Sequence, residues 1–199
     1  MQIADRYDQK SYFKYDEDVM YPQIPARLRS RLYDELHRSG GRSEGFHFAI
    51  YCDLDPAAIR VELDEVKEII QDGLASGRGA MAEGASPRLY KDGYISALTD
   101  ALAILDEHYL NKPRIRARIY AEQYAAGCRN AGFSFALKCD ANPATIRAER
   151  DAVHDQIRTM VQPDQHPSLA TDAYLDVYRA TLTEILEIID SDQNSHPTT

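Results

Sequence analysis

The sequence predicts a mainly α-helical (α+β) protein built as a tandem duplication of a helix–strand–helix–helix unit. Three observations carry this prediction. Residues 27–74 align without a gap onto residues 114–161, and 21 of the 48 aligned positions are identical. In most of each unit, apolar residues recur every three or four positions, as in a helix with one buried face. One short segment per unit instead alternates in character, as a half-buried strand does.

The repeat divides the chain into four parts. Residues 24–110 form copy one and residues 111–190 form copy two. An acidic, tyrosine-rich N-terminal arm, residues 1–23, precedes them, and residues 191–199 form a polar tail expected to fray. Because an internal repeat governs the whole fold, residues matched between the copies are expected to build the shared scaffold.

The first element of each copy is predicted to be a helix. Copy one has four aliphatic side chains spaced four apart: Ile24, Leu28, Leu32 and Leu36. Pro25 lies near the start, and Gly40 and Gly41 predict the end. In copy two, Pro113 and Gly127 predict the corresponding start and end.

The second element is predicted to be a strand. Its alternating residues in copy one are Phe46, Phe48, Ile50 and Cys52, matched by Phe133, Phe135, Leu137 and Cys139. A lone strand leaves its backbone groups unpaired, so the two strands are expected to pair as a central antiparallel ribbon around a pseudo-twofold axis. Six helices would flank this ribbon. Ala49 and Ala136 make both faces of the segments apolar, so short buried helices, and hence an all-α helical repeat, are the alternative.

The third and fourth elements are predicted to be helices. Asp55-Pro56 and Asn142-Pro143 each combine an N-cap residue with proline at the first helical position. In copy two, Arg150 takes the place of Leu63 in the apolar stripe that follows. The fourth helices align at an offset of 80, which matches Tyr94 to Tyr174 and implies seven extra residues in copy one within 75–86.

Composition excludes several classes of function. The net charge of −9 and pI of about 5.1 argue against direct nucleic-acid binding, which normally requires a basic surface. Three cysteines, no apolar leader and no long apolar run favour a cytoplasmic protein without a membrane span. The chain has no GxGxxG, phosphate-loop, HExxH or CxxC motif, so neither a cofactor nor a metal site is predicted.

Two sets of matched polar residues are candidate sites. Cys52-Asp53 and Cys139-Asp140 would meet if the strands crossed at the axis, where carboxylates could bind magnesium or a thiolate could act as nucleophile. The alternative places the cysteines in the core and the aspartates at helix starts. Candidate anion-binding residues are Arg27, Arg31, Arg114 and Arg118. Their alternative role is pairing along the helix surface, Arg31 with Glu35 and Arg118 with Glu122.

These features favour an acidic cytoplasmic protein-binding module of the inhibitor, immunity, adaptor or nucleic-acid-mimic type, whose partner has a basic surface. The alternative is an enzyme or small-ligand-binding protein with its site at the junction of the copies. A homo-oligomer-forming protein is a third class. Candidate partner-binding residues lie in the unmatched arm and loop: Tyr12, Tyr15, Arg78 and Glu83.

Overall fold

The computed structural model describes residues 23–75, 85–107, 112–160 and 169–195, and these residues form six α-helices and no strand. The helices are α1 (Ala26–Tyr51), α2 (Pro56–Ala75), α3 (Ala85–Glu107), α4 (Lys112–Lys138), α5 (Pro143–Met160) and α6 (Leu169–Ser195). The predicted central ribbon is therefore wrong, whereas the all-α alternative fits. The first three helices belong to copy one and the last three to copy two.

The segments predicted to be strands are the last two turns of α1 and α4. Gly40 and Gly41 do not end α1, because they serve helix packing instead. A Cβ atom at Gly41 would collide with the carbonyl oxygen of Tyr90 in α3, and one at Gly45 would lie 2.7 Å from the Cβ of Ala97. The glycines thus let α1 and α3 approach closely at the cost of helix propensity. The segment around Phe46 is helical despite its alternating pattern, because Phe46 and Ala49 are three apart and share one buried helix face.

Matching turns end α1 and α4. The Leu54 N–H donates to the Ala49 carbonyl and the Asp53 N–H to the Ile50 carbonyl, a Schellman arrangement in which both residues have positive φ. Asp140 and Ala141 repeat this geometry after α4.

The predicted starts of α2 and α5 are confirmed. Asp55 Oδ1 accepts the Ala57 N–H at 3.0 Å, and Asn142 Oδ1 accepts the Ala144 N–H at 2.9 Å. Each cap satisfies a backbone donor that the first helical turn leaves unpaired.

An antiparallel pair of helices, α1 and α4, takes the central place that the ribbon was expected to fill. His47 contacts Gln123 and Asp53 contacts Arg116, so the end of α1 lies beside the start of α4. In each copy the third helix packs along the first, and the second helix packs on the third. Separate apolar clusters form around Phe46 and Phe133, both fully buried.

The predicted alignment of the fourth elements is wrong by one helical turn. The hydroxyl of Tyr94 donates to Glu62 at 2.7 Å, and that of Tyr178 donates to Glu149 at 3.5 Å. Glu62 and Glu149 are matched, so the counterpart of Tyr94 is Tyr178, at an offset of 84. Residues 87–107 share eight identities with the other copy at this offset and six at 80. A shift of four keeps an apolar helix stripe nearly in phase, so periodicity does not separate the two alignments.

Candidate functional site

The four residues of the predicted junction site do not converge. Cys52 packs against the apolar cluster around Phe46, and Cys139 packs against the cluster around Phe133. The antiparallel helices α1 and α4 cross near Gly40 and Gly127, and each cysteine follows its glycine by twelve residues in opposite directions. A rise of 1.5 Å per residue therefore separates the cysteines by roughly 36 Å.

The thiols are placed as core residues. The Sγ atoms of Cys52 and Cys139 donate to the carbonyls of Ala49 and Ala136, each at 3.3 Å. Burial raises the pKa of both thiols, and burial raises the pKa of Cys128 from 9.0 to about 11. Because the thiolate is the nucleophilic form, none of these environments activates a cysteine at neutral pH.

The two aspartates end helices instead of starting them. Asp53 and Asp140 are exposed, both have positive φ, and Asp53 forms an ion pair with Arg116. Across the described ranges, no group of three or more His, Cys, Asp and Glu side chains is arranged to hold a metal ion.

The candidate anion-binding arginines lie in pairs at opposite ends of the molecule. Arg27 lies 3.7 Å from Asp192, and Arg31 donates to the Ser191 hydroxyl at 3.2 Å, both on α6. Arg118 donates to Glu107 at 2.7 Å, at the end of α3, and Arg114 is exposed one turn before it on α4. The expected partners Glu35 and Glu122 instead bind other arginines.

Those other arginines are Arg42 and Arg129, which sequence reasoning missed. Arg129 donates to both Glu184 oxygens, at 2.5 and 3.0 Å, and to Glu35 at 3.1 Å. Arg42 donates to Asp100 at 2.9 Å and lies 4.0 Å from Glu122. Each arginine therefore joins a carboxylate of its own copy to one of the other copy. Both aligned positions hold arginine and lie beside the central glycines, and this match is the sequence signal that could have revealed them.

Both arginines are held in place by contacts within the protein. Their guanidinium groups also lie 5.3 Å and 5.5 Å from the ring centres of Phe46 and Phe133. The hydrogen bonds that Arg129 donates to Glu184, followed by the charges of Glu184 and Glu35, raise the pKa of Arg129. Their charges are already compensated within the protein, so they hold the copies together and do not offer an anion site.

A groove of about 570 Å³, lined by several charged side chains, runs between α5 and α6. Arg150, Arg179 and His154 line it, where copy one has Leu63, Ile95 and Lys67. The groove is internally paired: Arg150 binds Asp151, Arg179 contacts Asp176 and His154, and Arg129 holds the lining Glu184. Most of its charged side chains are therefore paired within the protein, whereas Glu187, which also lines the groove, has no ion-pair partner among the described residues.

The outer side of α2 has a different character. Six exposed residues define what we call the acidic α2 face: Val61, Asp64, Glu65, Glu68, Ile69 and Asp72. Arg60 and Lys67 are also exposed and lie at its edge. Val61 is 57% exposed and Ile69 is 41% exposed. Within the described part of the chain, none of the four carboxylates has an ion-pair partner.

Copy two lacks an equivalent of this face. Its matched positions hold only two carboxylates and no large aliphatic residue: Ala148, Asp151, Ala152, Asp155, Gln156 and Thr159. The opposite side of α2, with Ile59, Leu63 and Val66 buried, packs against α3. The acidic α2 face is therefore a property of copy one alone and is not required by the shared scaffold.

The predicted partner-binding residues Tyr12, Tyr15, Arg78 and Glu83 lie outside the described residues. Among the helices that are described, none is long and apolar enough to cross a membrane. No protein-family model, no curated protein and no solved structure matches the chain.

Proposed function

We propose that this chain is a protein-binding module whose acidic α2 face binds a basic, amphipathic surface of another protein. The observation that carries this proposal is the acidic α2 face itself. It is a helix side with four exposed carboxylates that have no ion-pair partner among the described residues, arranged around two exposed aliphatic side chains. Aliphatic contact supplies affinity at such an interface, and charge supplies steering and register.

Repulsion within the face supports a cationic partner. Glu68 lies four residues from both Asp64 and Asp72, and three residues from Glu65. Like charges at these helical spacings destabilise a helix by about 0.2–0.5 kcal/mol per pair. A layer of lysine or arginine side chains would relieve this repulsion. A cationic partner would therefore both bind the face and stabilise α2.

The alternative of an enzyme or ligand site at the junction of the copies has no supporting geometry. Cys52 and Cys139 lie at opposite ends of the central pair, and burial raises the pKa of both thiols. Inhibitor, immunity, adaptor and nucleic-acid-mimic proteins all fall within the proposed class, because each occupies a basic surface.

The test is titration with a designed probe, a labelled helical peptide of about 20 residues carrying lysines along one face around two central leucines. A scrambled peptide of the same composition is the control for charge alone. We expect the patterned peptide to bind about tenfold more tightly, and binding to weaken about tenfold between roughly 50 mM and 500 mM NaCl. Equal affinity for both peptides, absence of binding, or binding indifferent to salt would each overturn the proposal.

Removal of the aliphatic side chains locates the surface. Val61→Ser and Ile69→Ser are each expected to weaken peptide binding about fivefold, because each deletes a partly exposed aliphatic contact. Tyr124→Ser, on α4, is the matched control because it also removes an exposed apolar side chain. A loss in the Tyr124 variant equal to that in the α2 variants would place binding elsewhere and contradict the proposal.

A further inference from the structure

Two arginines of copy two occupy positions where copy one has packed aliphatic side chains. Leu63 is 7% exposed and belongs to the apolar cluster around Phe46, against which Ile95 also packs. The aligned residues of copy two are Arg150 and Arg179, and both line the groove between α5 and α6. Buried aliphatic contacts stabilise a fold, and a partly exposed arginine gives them up. The shared scaffold therefore does not require these arginines, which makes the groove a candidate binding site.

The charges of the groove are arranged along its length. Arg179, Thr183 and Glu187 recur every four residues on α6, and all three line the groove. Arg179 lies at one end, where it donates to His154 on α5 at 2.8 Å. Glu187 lies just over two turns further along α6, roughly 12 Å away at 1.5 Å per residue. The groove therefore has a cationic end and an anionic end.

The cationic end has hydrogen-bond donors that a ligand could use. Besides contacting His154, the Arg179 guanidinium lies 3.5 Å from the exposed carboxylate of Asp176, one turn earlier on the same helix. Exposed pairs within one helix are weak, so a ligand can readily replace Asp176. A guanidinium only donates, so His154 accepts through Nδ1 and carries its own proton on Nε2, which is a further donor.

Arg150 lies between the two ends. The contact of His154 with Arg179 and that of Arg147 with Asp190 show that α5 and α6 run antiparallel. Arg150 follows Arg147 and precedes His154 on α5, so it lies part-way along the groove. Both of its hydrogen bonds go to one carboxylate oxygen of the next residue, at 3.1 and 2.9 Å. Its Nη1 group has no hydrogen-bond partner among the described residues and can donate to a carbonyl oxygen.

We propose that this groove binds a small peptide-like zwitterion, with its acidic group held by Arg179 and His154 and its amino group held by Glu187. A purely anionic ligand would be repelled by Glu187, which no cation among the described residues pairs. A purely cationic ligand would be repelled by Arg179 at the other end. A zwitterion satisfies both ends, and a central carbonyl satisfies Arg150. The volume of about 570 Å³ lies in the range of small-molecule sites, about 300–1,000 Å³.

The spacing of the two ends determines the probe. The separation of roughly 12 Å between Arg179 and Glu187 corresponds to about three residues of extended peptide, at 3.3–3.6 Å each. Trialanine with free termini carries a carboxylate, central carbonyl groups and an ammonium group, so it is the test ligand. Its N-acetylated form lacks the ammonium charge, and its C-terminal amide lacks the carboxylate. These two capped peptides are the controls.

Titration of the full chain with the three peptides, followed by nuclear magnetic resonance, tests the proposal. We expect trialanine to bind with a Kd on the order of 1 mM. Each capped peptide should bind about fivefold more weakly, because each loses one partly exposed ion pair. The resonances that shift should belong to α5 and α6.

Two substitutions should each abolish the effect of one cap. Glu187→Gln should weaken trialanine binding about fivefold and make the acetylated peptide bind equally well, because no carboxylate remains for the ammonium group. Arg179→Ile, which introduces the residue of copy one, should do the same for the amide. Arg147→Gln, on α5 but outside the groove lining, should leave all three affinities unchanged. Circular dichroism verifies that the variants remain folded.

Equal affinity for the three peptides, or absence of binding, would overturn the proposal. So would a folded Glu187→Gln protein that still binds trialanine more tightly than the acetylated peptide. Resonance shifts confined to α2 would also contradict it, because they would assign the peptide to the acidic α2 face.

Discussion

Copy one and copy two agree in their interiors and differ on their surfaces. In both, an arginine bridges the copies, a phenylalanine fills the core, and a tyrosine of the third helix binds a glutamate of the second. On the outer helices the agreement ends. The α2 side of copy one is acidic with exposed Val61 and Ile69, whereas α5 of copy two borders a groove lined by charges of both signs.

This difference distinguishes the residues that stabilise the fold from the residues that are available for binding. Matched residues such as Arg42 and Arg129 are engaged within the protein, so they have little capacity left for a ligand. The acidic α2 face belongs to a surface that the other copy does not reproduce. The interior also differs: Gly41 and Gly93 of copy one correspond to Cys128 and Val177, so α1 and α3 approach each other through glycines that copy two lacks.

The largest expected effect is at this glycine contact. Gly41→Ala places a methyl group against the carbonyl oxygen of Tyr90, and the overpacking should lower the free energy of unfolding by about 3 kcal/mol. Gly127→Ala meets only the Ser43 hydroxyl, 3.8 Å away, and should raise it by up to about 1 kcal/mol through helix propensity. Urea unfolding of the two variants measures both. Equal effects would contradict the close α1–α3 approach.

The two bridging arginines should contribute unequally to the free energy of unfolding. Arg129→Met leaves Glu184 and Glu35 without their shared cation and should cost about 2 kcal/mol. Arg42→Met should cost about 1 kcal/mol, because its contact with Glu122 is long at 4.0 Å. Adding Glu35→Gln to Arg129→Met in a double-mutant cycle isolates the link between copies. A coupling energy near zero would show that this link does not stabilise the fold.

Cys128 should account for part of the stability that the protein loses at alkaline pH. Burial raises its pKa from 9.0 to about 11, so the unfolded chain releases this proton at lower pH than the folded chain. The stabilising contribution is complete below pH 9 and declines as the pH rises from 9 to about 11. Unfolding measured at both ends of that window should show a smaller loss in Cys128→Ala than in the natural chain. An equal loss of stability in Cys128→Ala and in the natural chain would contradict the burial of the Cys128 thiol.

The sequence predicted the elements whose signal is local. The caps Asp55 and Asn142 are found as predicted, because one side chain and one proline define such a start. The ends at Gly40 and Gly127 were wrong, because a glycine that ends a helix and one that admits a neighbouring helix look alike in sequence. Only the partner helix distinguishes them.

The polar contacts were harder to predict than the elements. Arg31 and Arg118 have glutamates four residues ahead, yet they bind Ser191 and Glu107, which lie 160 and 11 residues away along the chain. The acidic residues of α2 are visible in the sequence as a run of carboxylates after Asp55-Pro56. Their exposure and their lack of ion-pair partners among the described residues became apparent only in three dimensions. Arg150, which takes the place of Leu63, lines the groove between α5 and α6.

The smallest expected effect concerns the turns after α1 and α4. Asp140→Gly relieves a positive φ of 55° and should raise the free energy of unfolding by about 0.5–1 kcal/mol. Asp53→Gly relieves the same strain but removes the ion pair with Arg116, so its gain should be smaller. Thermal denaturation of the two variants checks the order. A larger gain in Asp53→Gly would show that the ion pair contributes nothing.

The most direct test of the account is a charge reversal at matched positions of the two copies. Glu68 on α2 and Asp155 on α5 are exposed carboxylates at equivalent places. If the acidic α2 face is the binding surface, Glu68→Lys should weaken binding of the patterned lysine–leucine peptide about tenfold, and Asp155→Lys should change it less than about twofold. Equal losses in the two variants would show that the peptide responds only to net charge, and would contradict the central claim.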